Sequence, residues 1–394
     1  MGARKFSIVI PYKQRLDNIK LAFASLADQT MDRSEYEVVV GALEYSPEFT
    51  ALCEEYADRL DITVVMSGVS WNVCHARNVA MRQASGQVIV IYDADMVVPP
   101  GFLRNLYDRY YQHGQNICVI GQMIGYLEIF RTEVEEVEAL PYSHYKKVLA
   151  DLEATGKVIM DARWTPEYAS AFARFPWVQA CTALVSLPAA TVREHGLTFD
   201  EGFRKWGPED QEWARRISLT GTPIVLGDQV YGVHVPHVRN QTDQVETEIM
   251  NWRYYLSKWP ELDVEVAIAF DQLDADRFYP EVVREVAEAV PDADHQLGVV
   301  RGTISGRTVL VVGAVVDRTT RTPGRDVTLM LDDHTPYEVL PLAGLALPYS
   351  DGTFDECRIL SPITKLSKRY QDIVVREAER VARKLVAPAT DERR

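Results

Sequence analysis

The sequence predicts an α/β protein: a parallel sheet with helices on its faces, followed by a smaller α/β module. Three observations carry that expectation. Short apolar runs with a β-branched bias, at 6–11, 37–41, 62–66 and 88–91, alternate with segments whose apolar residues recur at helical spacing. Such alternation lays strands side by side and covers them with helices. The second observation is an ordinary folded-chain composition, 394 residues with 47% hydrophobic and 25% charged, enough for one large or two moderate domains. Third, an acidic, proline-bearing stretch at 290–296 precedes a second strand-rich region, which marks a candidate linker. No fixed-period repeat is visible.

The elements follow in order. FSIVIP (6–11) is a strand running into the polar turn Tyr12-Lys13-Gln14-Arg15, and Leu16, Ile19, Phe23 and Leu26 then share one helix face. EVVVG (37–41) and ITVVM (62–66) are strands around a helix at 47–60. Residues 76–84 suit a helix terminated at Gly86. VIVI (88–91) is too short for a helix and reads as a buried strand, bounded by Gly86 and Pro99-Pro100. A helix entered through proline ends at Gly114, and 117–123 is another strand. Residues 127–175 are acidic, aromatic and irregular, with one helix at 143–156. A buried strand is expected at 177–187, helices at 189–195 and 211–219, and a strand ending near His234. Farther on come a helix at 246–258, strands at 308–316 and 327–331, a third strand after Asp351-Gly352, and an amphipathic helix at 370–386.

The totals exclude several classes. A net charge of −15 argues against a general nucleic-acid binder, although a bound divalent cation would still let an anionic ligand dock. Five cysteines, odd in number and never in C-x-x-C spacing, form neither a disulfide framework nor a zinc site. The N-terminus lacks a signal-peptide pattern, no stretch approaches a membrane span, and Phe6 stands where myristoylation needs Ser or Thr. A cytoplasmic enzyme is expected.

Three constellations carry chemistry. Asp93 and Asp95 lie two residues apart at a strand end, so in extended chain both carboxylates point to one side. Such a pair suits Mg2+ or Mn2+; a solvated turn is the plain alternative. In Trp206-Gly207-Pro208-Glu209-Asp210, proline fits the first turn of a helix and its dipole favours the two acids, so capping accounts for one of them. His234 and His237 close a strand three residues apart, as metal ligands or as surface histidines. Arg77 near a helix start has the donor fork that phosphate takes.

Taken jointly, PYKQR at 11–15, HARN at 75–78, DAD at 93–95 and FDEGFRKWGPED at 199–210 resemble the inverting GT-A glycosyltransferases of the family-2-like group, across roughly 6–240. The resemblance implies a Rossmann-like mixed sheet with helices on both faces. It places Pro11 and Arg15 at the nucleotide, Arg77 at the donor diphosphate or uracil, and Asn78 in the local loop. The family carries an aspartate after the second strand, where this chain has Gly41-Ala42-Leu43-Glu44, with Glu44 as the substitute. Asp93, Ala94 and Asp95 become the metal and donor motif, His234 or His237 a further ligand, and Arg239 a diphosphate contact. Asp210 becomes the general base, Glu209 a contact to sugar hydroxyls, and Trp206 beside Gly207 a stacking surface.

The expected domains are 1–260 for the GT-A part, 261–298 as a helical connector, and 299–394 as a small α/β module. LPYSDGTFDECRIL (347–360) with the last helix resembles the second half of a Rossmann methyltransferase, but Gly313-Ala314 replaces the glycine-rich cofactor loop. Packing or homo-oligomerisation is the module's expected role. The implied function is metal-dependent inverting transfer, with Mn2+ or Mg2+, from a nucleotide-diphospho-sugar (UDP expected) to an unidentified acceptor hydroxyl. The alternative is a catalytically silent sugar-binding or scaffold protein on the same fold.

Overall fold

The computed structural model describes residues 4–125, 140–157, 159–170, 174–237, 241–270 and 272–387. The chain divides into two compact units, Met1–Asn251 and Trp252–Arg394.

Among the described residues the first unit holds an eight-stranded mixed sheet in the order β3-β2-β1-β4-β7-β6-β8-β5. These are β1 (Phe6–Tyr12), β2 (Tyr36–Ala42), β3 (Ile62–Met66), β4 (Val88–Tyr92), β5 (Met96–Val97), β6 (Cys118–Ile124), β7 (Leu184–Pro188) and β8 (Ile224–His234). β1 pairs in parallel with β2 and β4, and β2 with β3. All residues of β1, β2 and β4 are buried, as strands covered on both faces require, and this is why they read as unbroken apolar runs. Beyond β4 the direction changes: β7 runs antiparallel to both β4 and β6.

Helices Leu16–Ala27, Pro47–Tyr56 and Val73–Gln83 link the first four strands. The second is capped by Ser46, whose hydroxyl oxygen accepts from the Phe49 N–H at 3.2 Å, with Pro47 at the first helical position. The third lies hard against β2, where a Cβ at Gly41 would run into the Ala76 carbonyl. Glycine at that point is therefore a close-approach requirement.

The sequence expectation differs from the structure at 177–187. Pro176–Gln179 forms a 3-10 turn and the strand begins only at Leu184. Pro176 opens that turn and cannot donate to a ladder, so a strand entering there would lose a bond. The helix expected at 211 starts at Glu209, directly after Pro208.

The second unit carries a five-stranded sheet, β11-β9-β10-β12-β13, from β9 (His295–Ile304), β10 (Arg307–Asp317), β11 (Glu338–Leu340), β12 (Glu356–Ile359) and β13 (Leu385–Val386). Helices Leu262–Ala269 and Gln272–Ala289 belong to the same unit. Three expectations are corrected here. Residues 327–331, expected as a strand, lie in the short Arg325–Thr328 helix and the turn after it. Pro323-Gly324 opens that helix, and the Gly324 carbonyl accepts from the Val327 and Thr328 N–H groups. The candidate linker runs straight into β9, a strand masked in the sequence by Gly298 and Gly302. Both glycines make room, for Val316 and Leu331 respectively. The last helix stops at Val381; Ala382 is extended and the chain continues as β13 beside β12.

Candidate active site

The register of β8 builds one half of the site. Met96 and Val97 pair antiparallel with His234 and Val233, and the Val235 N–H donates to the Asp95 carbonyl at 2.8 Å. This brings both histidines to Asp95. His234 Nε2 lies 3.6 Å from Asp95 Oδ1, and His237 Nε2 3.2 Å from Oδ2. One ligand atom from each of Asp95, His234 and His237 falls within 4.8 Å of the others. Arg15, from the turn after β1, donates to Asp95 Oδ2 at 2.5 Å. Asp95 is buried, and its Oδ1 makes no hydrogen bond among the described residues. Burial opposes its charge, yet His234, Arg15 and His237 hold the carboxyl below the usual range. A buried carboxylate with one spare oxygen and an imidazole beside each of its oxygens is a donor set that fits a divalent cation.

Asp93 faces a different partner. Arg77 Nη2 donates to Asp93 Oδ1 at 3.2 Å, while Nη1 donates to Glu209 Oε1 at 2.9 Å. The guanidinium thus ties the end of β4 to the first turn of the Glu209–Leu219 helix. It is buried and lies over the Phe199 ring, 5.0 Å from the centroid. Burial works against its charge, and Asp93 and Glu209 more than offset that. Burial raises the Asp93 carboxyl despite Arg77. Next to Glu209, Asp210 is half-buried, and its carboxyl is pushed up to about 7, first by burial and then by the Glu209 charge. That places it in the range where a carboxylate serves as a base near neutrality.

The loop leading to these acids is clamped from both sides. Asn72 caps the Val73–Gln83 helix, accepting from the His75 N–H at 3.0 Å, and its amide donates to the Glu201 and Phe203 carbonyls. Asn78 donates to the Phe199 carbonyl at 2.8 Å and to Glu201 Oε1 at 2.9 Å, and accepts from the Phe199 N–H at 2.8 Å. His75 Nδ1 pairs with Glu201 Oε2 at 2.8 Å. From the other side Asn251 holds Arg204, Trp206 and Gly207 by their backbone. Gly207 sits at φ +55° and Trp206 is exposed.

The sequence-derived candidates therefore fall into two connected groups, Arg15–Asp95–His234–His237 and Asp93–Arg77–Glu209, with Asp210 beside the second. Ala94 is buried between the acids. Pro11 is buried at the end of β1 opposite Gly41. Glu44 lies outside both groups and accepts from Gln14 Nε2 at 3.1 Å. Arg239 and residues 127–139 are outside the described residues. Sequence reasoning missed Asn72 and Asn251, which hold backbone, and Glu201, which accepts from the His75 and Asn78 side chains. The one available signal was Asn72, a cap residue directly before a helix.

The family description "Glycosyl transferase family 2" matches residues 7–160. Validoxylamine A glucosyltransferase of Streptomyces hygroscopicus subsp. jinggangensis (strain 5008) is 25% identical over 426 aligned positions, covering 97% of this chain and 96% of the relative. Uncharacterized glycosyltransferase YfnE of Bacillus subtilis (strain 168) is 23% identical, covering 68% and 74%. Among solved structures, S. aureus TarS 1-349 in complex with UDP-GlcNAc aligns with 15% identity, a TM-score of 0.46, and coverage of 72% and 73%. The chain is thus similar to family-2 glycosyltransferases over residues 7–160, and its mixed sheet with helices on both faces is GT-A-like.

Proposed function

We propose that the protein transfers a sugar, with inversion, from a nucleotide-diphospho-sugar to an acceptor hydroxyl, with UDP as the expected nucleotide and Asp210 as general base. The observation that carries this reading is the pairing of an Asp95–His234–His237 cluster with a half-buried Asp210, while Arg77 bridges their neighbours Asp93 and Glu209. Asp95, His234 and His237 would hold Mn2+ or Mg2+, and the imidazoles weigh for Mn2+, since Mg2+ keeps to oxygen ligands. A bound cation would offset the charge that develops on the departing diphosphate. Arg15 stands at the same carboxylate and is placed to meet the donor's phosphates.

Asp210 takes the acceptor hydroxyl proton as that oxygen attacks the anomeric carbon, on the face opposite the leaving group. Glu209 is engaged by Arg77, which fixes the helix start that presents Asp210. Near-identical coverage of the Streptomyces relative extends the reading to the whole chain, and its name supports a glucosyl donor.

The test is a panel of nucleotide-sugars assayed for binding and hydrolysis with and without Mn2+. Asp210→Asn keeps donor binding and loses at least a hundredfold in turnover, in line with removal of a general base. Unchanged turnover in that variant would remove Asp210 from the mechanism.

A further inference from the structure

Gln179 ends the Pro176–Gln179 turn and is almost completely buried, at 2% exposure. Its main chain is fixed, because Arg163 Nη1 donates to the Gln179 carbonyl at 2.9 Å. Arg163 is itself held by the buried Asp161 carboxylate at 2.6 Å. The side chain is different: both Nε2 and Oε1 are buried and make no hydrogen bond among the described residues. An amide buried with neither end paired carries a desolvation penalty that a folded chain ordinarily avoids, and such exceptions concentrate where a ligand supplies the partners.

Its position says which ligand. The turn packs against the Glu209–Leu219 helix, whose first residues are Glu209 and Asp210. Two residues on, the Cys181 thiol is raised by burial, with the charges of Asp210 and Asp93 adding to the effect. Two residues beyond that, the Ala183 carbonyl accepts from the Asp93 N–H at 3.2 Å. The 179–183 strip therefore runs past Asp93, at the end of β4, and Asp210, at the first turn of the Glu209–Leu219 helix. On the transferase reading above, the reacting sugar sits between them.

We propose that Gln179 is a specificity-determining residue, its amide pairing with hydroxyls of the sugar being transferred. An amide donates and accepts at once, and so does a sugar hydroxyl, so the two match without a charge. The inference rests on the proposed donor class, and its test separates the two. Affinities of UDP-glucose, UDP-N-acetylglucosamine and GDP-mannose are measured against UDP and GDP, with Mn2+, for wild type, Gln179→Met and Gln179→Glu, together with the melting temperature of each.

Gln179→Met fills the same space without polar atoms, so it melts at or above the wild type. It binds the free nucleoside diphosphate as the wild type does, and loses roughly tenfold or more for the preferred nucleotide-sugar. Gln179→Glu keeps the shape but not the donor and shifts the preference among the sugars. A Gln179→Met variant that melts lower, with its sugar-to-nucleotide affinity ratio unchanged, would overturn the proposal in favour of an internal partner such as a buried water. A wild type that binds the diphosphates but no nucleotide-sugar would overturn it too while leaving the nucleotide site standing. Binding of neither removes the donor reading itself.

Discussion

Asn78→Asp is the substitution that most sharply tests how the catalytic loop is held. The change is isosteric, yet it replaces an amide donor with a carboxylate facing the Phe199 carbonyl and the Glu201 carboxylate. Deleting the side chain, as in Asn78→Ala, removes three hydrogen bonds, two of them buried, and leaves the Phe199 N–H and C=O without the Asn78 amide. At about 1 kcal/mol per bond the cost is about 3 kcal/mol. Asn78→Asp adds acceptor–acceptor repulsion and a buried charge, and its cost should exceed 4 kcal/mol, roughly the threshold of exceptional substitutions. The His75 imidazole beside Glu201 relieves only one side of that repulsion. For a unit of this size, 1 kcal/mol corresponds to about 2–4 °C in melting temperature. Asn78→Ala is therefore expected to melt about 6–12 °C below wild type, and Asn78→Asp lower still. Thermal unfolding followed by circular dichroism decides the matter. An Asn78→Asp protein melting within about 2 °C of wild type, or above Asn78→Ala, would refute the clamp.

Further outcomes follow from other buried charges. Arg77→Met strips the partner from Asp93 and Glu209 together and should cost about 3–5 kcal/mol, read by thermal or urea unfolding, while Arg77→Lys recovers part of it without the two-pronged geometry. In the second unit, buried Glu265 accepts backbone N–H bonds from Ala343, Gly344, Leu345 and Ala346. Burial nonetheless pushes its carboxyl up to about 7, from 4.5. A folded-state value above the unfolded one means the native state holds its proton longer, so this group's contribution is fullest below pH 4.5 and falls as pH rises to about 7. Glu265→Gln should therefore lose the corresponding slope, with the wild-type-minus-variant stability difference shrinking over that window, as measured by urea unfolding at several pH values.

The first half of the fold was readable because β1, β2 and β4 are covered on both faces and carry no polar alternation to confuse the pattern. Asp93, Asp95, Glu209 and Asp210 were readable as chemistry because the members of each pair lie within two residues of each other. Their division of labour was not. That Arg77 spans Asp93 and Glu209 depends on a contact across 132 residues, and that His234 meets Asp95 depends on the register of β5 with β8. β9 was hidden because its glycines, which weaken a strand signal, are there to admit Val316 and Leu331. Residues 327–331 misled in the opposite direction: their apolar run is genuine, but Pro323-Gly324 sets a helical turn that buries Val327. Asn251 looks like an ordinary residue of a helix until the backbone groups it bonds are known.

The central claim is that Asp95, His234 and His237 form the cation site through which the donor binds. Electron paramagnetic resonance of free Mn2+, titrated with protein in the presence of UDP, tests it most directly. The account expects the free-ion signal to disappear with one equivalent bound per chain, to return in part with His234→Ala or His237→Ala, and to return fully with Asp95→Ala. Retention of the same Mn2+ affinity in Asp95→Ala, or no uptake by the wild type, would contradict it.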